Sequence, residues 1–186
     1  MCLKSFSWRY LLLSTEKIKK GVPLQIISNY QMEECLLEAR EELKRLEHII
    51  YVSLKYTRTV DVILNALNRM VSTYDYIIEA FLLKAQEEEK IDVLVKSPAL
   101  RAKILLQTYP EDKELADYIR FYAFLKDLLK RPYLKREEFR RHVTLIAEFE
   151  KGTSEIKIDT LLNCERYVHE FLIYAKKVLL GEVEED

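Results

Sequence analysis

The sequence predicts an all-α protein: an antiparallel bundle of five or six helices, with an N-terminal extension of less regular structure. Three observations carry that expectation. Glycine and proline, which punctuate turns, number only three and four in 186 residues, so long elements must be joined by few, short connections. Apolar residues recur at three- and four-residue steps through most of the chain, the period of a helix that buries one face. The hydrophobic fraction is 49%, with 12 Tyr and 7 Phe, enough to fill the single core that a chain of this length folds around.

Residues 1–31 stand apart from the rest. They carry five bases (Lys4, Arg9, Lys17, Lys19, Lys20) against the single acid Glu16, and they lack a helical stripe. Two readings are open: a basic arm packed on the helices, or an extension upstream of a start at Met32 rather than Met1. Arg9 interrupts the only apolar stretch near the N-terminus, which argues against a signal peptide. A single helical domain over 32–180 and an acidic tail at 181–186 complete the division.

From Met32 the stripe Met32, Cys35, Leu36, Ala39, Leu43, Leu46, Ile50, Leu54 marks the first helix, and its polar face EAREELKRLEH interleaves acids and bases. Thr57-Arg58-Thr59 is the expected break, because threonine caps helices better than it extends them. A second helix follows with Val60, Ile63, Leu67, Val71, Tyr74, Ile78, Phe81 and Ala85 on one face. Ser97-Pro98 opens a short third helix that ends near Tyr109-Pro110. Thr108 and Glu111 have capping-box spacing for a fourth helix over 111–130, which Pro132 ends. The reading then places a helix over 134–151, closed by Gly152 as a left-handed cap. The stretch 155–159 reads as a loop more than a strand. Asp159 or Thr160 opens the last helix, with Leu161, Val168, Leu172, Ala175 and Leu179 inward and Gly181 as its stop. Ile77, Leu82, Leu83, Ile173 and Leu180 lie off these stripes; a helix central to the bundle, or a homodimer interface, would use that surplus.

Several chemistries are excluded. The isolated glycines allow neither a dinucleotide nor a Walker phosphate loop, and there is no nucleophile elbow. His48, His142 and His169 are read on three separate helices without Cys or His neighbours, so no metal and no cofactor is expected. Glu165 and His169 are read as a helix-surface pair. Cys2, Cys35 and Cys164 are sparse and unspaced, which suits a reducing, cytoplasmic compartment. No apolar run approaches the ~18 residues of a membrane span. Thirty basic against 31 acidic residues exclude whole-molecule charge attraction to DNA but leave room for a local patch.

That patch is sought at 126–142. Lys126, Lys130, Arg131, Lys135, Arg136, Arg140 and Arg141 stand there against Asp127, Glu137 and Glu138. Pro132 turns the stretch into a corner beside Tyr133. Clustered bases near an exposed aromatic suit a phosphate backbone and a stacked base. In a continuous helix His142 falls on the apolar face with Phe139 and Ile146, Arg136 on its rim, and Arg140 and Arg141 toward solvent. The spacing Arg136–x5–His142 resembles the Arg–x4–6–His element of the HEPN superfamily, with Glu137 where that family has Asn, Asp or His. The resemblance implies an all-helical, often dimeric protein in which the arginine and histidine meet at a dimer cleft and cleave RNA through its 2′-hydroxyl. A second cluster, Lys55, Tyr56 and Arg58 with Asp61, falls at the first helix junction. The expectation is a non-catalytic, dimeric interaction module whose basic corner binds RNA or an acidic protein. The alternative is a HEPN-like metal-independent ribonuclease or RNA-binding domain using Arg136 and His142.

Overall fold

The computed structural model describes residues 24–181. The basic stretch up to residue 23 and the tail from 182 lie outside them. Five helices and one small sheet make up the described residues. Helix α1 runs Leu24–His48, widens into a π-helical turn at Ile49–Ser53 and finishes with an α-helical turn at Leu54–Tyr56. The boundary expected at Met32 therefore falls inside a helix. Helices α2 (Val60–Glu87), α3 (Pro98–Thr108), α4 (Lys113–Leu128) and α5 (Ile158–Leu180) follow.

Helix α2 is the central element, packing against α1, α3, α4, α5 and the sheet. Its sequence explains that position. Ile77, Ile78, Ala80, Phe81, Leu82 and Leu83 are consecutive or nearly so, and all are buried, so apolar surface encircles the helix rather than forming one stripe. The off-stripe Ile77, Leu82 and Leu83 are thus core residues of α2, whereas Ile173 of α5 stays on the surface. The core is rich in aromatic contacts. The Phe171 ring stacks on Tyr74 at 4.7 Å and on Tyr118 at 4.6 Å between centroids, and Tyr74 stacks on Tyr122 at 5.7 Å.

Helix ends are set by identifiable residues. The chain breaks at Thr57–Thr59, as the threonines predict; Thr57 and Thr59 are both extended. Asp112, not Thr108, caps α4: its carboxylate accepts a hydrogen bond from the Leu115 N–H at 2.9 Å. Thr108 instead turns its hydroxyl back to the Ile104 carbonyl, a local bond that competes with capping. Gly181, at φ 70°, closes α5 in the left-handed region.

The helix expected over 134–151 does not form. The segment makes β1 (Tyr133–Arg136) and β2 (Thr144–Phe149), and β3 (Gly152–Ile156) follows, in a three-stranded antiparallel sheet of order β1-β2-β3. The molecule is therefore mostly helical rather than all-α. Tyr133 pairs with Ala147 and Arg136 with Thr144, while Leu145 pairs with Ile156 and Phe149 with Gly152. Val143, Leu145, Ala147 and Ile156 are buried against the helices, so period-2 burial, not a helical stripe, organises the segment. Gly152 (φ 146°) follows the two-residue turn Glu150–Lys151; it serves the hairpin instead of ending a helix. Stretch 155–159, expected as a loop, contributes its first two residues to β3.

Among the described residues no helix is long and apolar enough to cross a membrane.

Candidate functional site

A cleft of about 420 Å³ opens between the end of α1, the β1–β2 loop and the start of α5. Its apolar wall comes from Ile50, Leu54, Val143, Ile158 and Leu162, and Tyr51 stands at its edge. The charged lining is one-sided. Lys55, Arg58, Arg141 and Lys157, with His142, face a single acid, Asp159. These bases come from three stretches distant in sequence, and the fold alone brings them together.

The π-helical turn Ile49–Ser53 contributes the first wall. By widening the helix it buries both Ile49 and Ile50 while leaving Tyr51 and Val52 exposed. Such widened turns recur at functional sites because they break the regular succession of side chains. One turn on, Lys55 projects outward, and Arg58 sits in the extended link to α2.

The second wall, the β1–β2 loop, is pinned to that link. The Phe139 N–H donates to the Arg58 carbonyl at 2.6 Å. The Glu138 carboxylate accepts from the Val60 N–H at 3.2 Å, so a loop residue caps the N-terminus of α2. Lys135 reaches Asp61 at 3.1 Å, which removes from the cleft region the one acid of the junction cluster. The loop holds two non-glycine residues at positive φ, Glu137 at 52° and Phe139 at 64°. This left-handed backbone is held by those contacts and delivers Arg141 and His142 to the cleft. The Thr144 hydroxyl donates to the His142 carbonyl at 2.8 Å.

The third wall is the start of α5. Lys157 is its N-cap residue, and its backbone N–H donates to the Thr160 hydroxyl at 3.3 Å. Lys157 also pairs with Glu155 at 3.0 Å. By contrast, Lys55, Arg58 and Arg141 form no ion pair with any described residue. The positive N-terminal end of the α5 dipole faces the same region.

The corner proposed at 126–142 divides into separate roles. Lys126 lies against the Tyr122 ring and donates to its hydroxyl at 3.0 Å. Arg131 pairs with Asp127 at 3.0 Å and lies over the Phe149 ring. Lys135 is held by Asp61 and Glu138, and the hydrogen bond from Lys135 to Asp61 pushes the lysine pKa up. Arg136 bonds Glu155 at 2.9 Å across the sheet. That hydrogen bond, joined by one from Lys157, holds the Glu155 carboxyl at about 2, well below its ordinary value. Lys130, Tyr133 and Arg140 are exposed and do not line the cleft. Of the expected contact residues only Arg141 does.

The helical placement of His142 is corrected. It is exposed, not buried on an apolar helix face, because its segment is a loop leading into a strand and helical rotation does not apply. Within one protomer Arg136 does not line this cleft, and its guanidinium is engaged by Glu155. Lys55 and Arg58 were legible as a basic junction, yet nothing local linked them to Arg141. Lys157 and Tyr51 carried no sequence signal of their own.

Exposed aromatics stand on the segments that form the cleft: Tyr51 (57% exposed) and Tyr56 (78%) on α1, and Phe139 (77%) on the loop. Comparison with protein-family models, with curated proteins and with solved structures finds no match.

Proposed function

We propose that this protein is a non-catalytic module that binds single-stranded RNA through the α1–loop–α5 cleft. One observation carries the reading: Lys55, Arg58 and Arg141, none ion-paired among the described residues, converge with Lys157 on an open cleft that has Asp159 as its only acid. Unneutralised bases around a concavity are an electrostatic seat for phosphates. The apolar floor and the exposed Tyr51, Tyr56 and Phe139 supply faces on which unpaired bases stack, which duplex ends and acidic peptides do not require. The bulk charge balance fits this reading, since the attraction is confined to one locus. A cytoplasmic setting and a homodimer belong to the same proposal. The exposed Leu37, Ile173 and Val178 give α1 and α5 apolar surface for self-association, and light scattering separates a 22.2 kDa monomer from twice that mass.

The test is fluorescence anisotropy with a labelled RNA of about ten nucleotides, a length near the site size of single-strand binders. The Arg58→Ala/Arg141→Ala double variant is expected to bind about tenfold or more weakly. Arg136→Ala, which removes an arginine held by Glu155, is the control and is expected to bind as the parent does. Equal loss in both variants, or no binding by the parent, would reject the cleft as the seat.

A second reading follows from His142 standing among these bases. With a base at the 2′-hydroxyl and cations at the phosphate, the cleft would cleave RNA without metal. Incubation with structured RNA in EDTA decides it: cleavage that disappears in His142→Ala would replace the binding reading with this one.

A further inference from the structure

A second constellation lies on the α1–α5 contact, apart from the cleft. Glu165 and His169 stand four residues apart on one face of α5, and Glu47 meets them from α1. The His169 Nε2 is 2.9 Å from a Glu47 carboxylate oxygen and 3.9 Å from one of Glu165. One donor atom from each residue lies within 4.8 Å of the other two. A cavity of about 190 Å³ lined by Glu47 and His169 opens beside them.

Glu165 makes this more than a surface pair. It is only 5% exposed, and among the described residues its carboxylate accepts no hydrogen bond; the approach of His169 at 3.9 Å is its only ion pair. A largely buried carboxylate facing a second carboxylate and an imidazole is an arrangement that a bound cation relieves.

We propose that Glu47, Glu165 and His169 bind one divalent transition ion of the zinc class. A tetrahedral ion with ligand bonds of about 2.1 Å holds its donors about 3.4 Å apart, and the separations of 2.9 and 3.9 Å from His169 bracket that spacing. Two carboxylates neutralise the dication, and the imidazole selects zinc or cobalt over calcium and magnesium, which prefer oxygen donors alone. Three protein ligands leave a fourth position for water, opening toward the cavity. Arg40, Lys44 and Lys176 line the same cavity and oppose a dication, so the affinity expected is of micromolar order, below that of closed structural sites. The ion would join α1 to α5 about one helical turn from Ile50 and Leu162, which line the cleft.

The experiment is calorimetric titration of the metal-stripped chain with zinc chloride, alongside the visible spectrum of the cobalt-loaded protein. The expected result is one ion per chain, a raised melting temperature with zinc, and at least tenfold weaker uptake in Glu165→Gln and in His169→Ala. Metal-free melting curves report whether each variant folds. Glu47→Gln, at a half-exposed position, supplies a third variant should either fail. No uptake by the parent chain, or uptake unchanged in the folded variants, overturns the proposal.

Discussion

Tyr74 is fully buried among Tyr122, Phe121 and Phe171, and its hydroxyl has no hydrogen-bond partner among the described residues. Burial pushes its pKa far up. A desolvated hydroxyl without a partner works against folding, so Tyr74→Phe is expected to leave stability unchanged or raise it by about 1 kcal/mol. A loss of that size in chemical denaturation would show that the hydroxyl is bonded. Its neighbour Asp75 accepts a hydrogen bond from the Tyr122 hydroxyl, with Lys126 close by. Burial nevertheless raises its pKa above the ordinary 3.8, because desolvation outweighs both favourable contacts. The folded state therefore holds the proton more tightly than the unfolded chain does. The stability this contributes is complete below pH 3.8 and is lost as pH rises through the displaced value. Asp75→Asn keeps an acceptor for Tyr122 and removes the titration. Its melting temperature relative to the parent is expected to improve between pH 4 and pH 7, and a relative decline over that range would contradict the account.

Elements were legible where helical periodicity and local caps agree. The stripes of α1, α2 and α5, the Thr57–Thr59 break, Ser97-Pro98 and Gly181 were all readable for that reason. The β-hairpin was not, and the cause is specific. Residues 134–142 are rich in Lys, Arg and Glu, all good helix formers, and the loop turns through Glu137 and Phe139, non-glycine residues at positive φ that no sequence rule marks. The loop is held by contacts to Arg58 and Val60 across 78 residues in the case of Glu138, and long-range contacts of this kind override propensity. Phe139→Gly relaxes the left-handed backbone and removes an exposed ring. Stability is expected to stay level or rise by about 1 kcal/mol, while RNA affinity falls; loss of both together would mean that the ring is structural. Elsewhere, Asp112→Ala removes the cap of α4 and the acceptor for the Tyr174 hydroxyl of α5. It is expected to cost about 1–2 kcal/mol in denaturant unfolding, whereas Thr108→Ala, at the residue sequence spacing favours, is expected to cost less.

Across the whole molecule, folding redistributes the charge that local counting assigns to 126–142. The 126–142 stretch holds seven Lys and Arg against three acids, but folding spends Arg131, Lys135 and Arg136 on Asp127, Asp61 and Glu155. Arg141, which no described acid pairs, instead joins Lys55 and Arg58 where α1, the loop and α5 meet, through contacts between residues more than eighty positions apart in the chain. Charge that is paired locally cannot release counterions from a nucleic acid; charge held unpaired around a cleft can. The salt dependence of RNA binding tests this most directly. With about four phosphates neutralised on a single strand, the logarithm of the binding constant is expected to fall against the logarithm of salt concentration with a slope near −3. The Lys55→Ala/Arg58→Ala/Arg141→Ala variant is expected to lose about 2 of that slope, and an Arg131→Ala/Lys135→Ala/Arg136→Ala variant to keep it. A slope lost in the second variant and retained in the first would contradict the account.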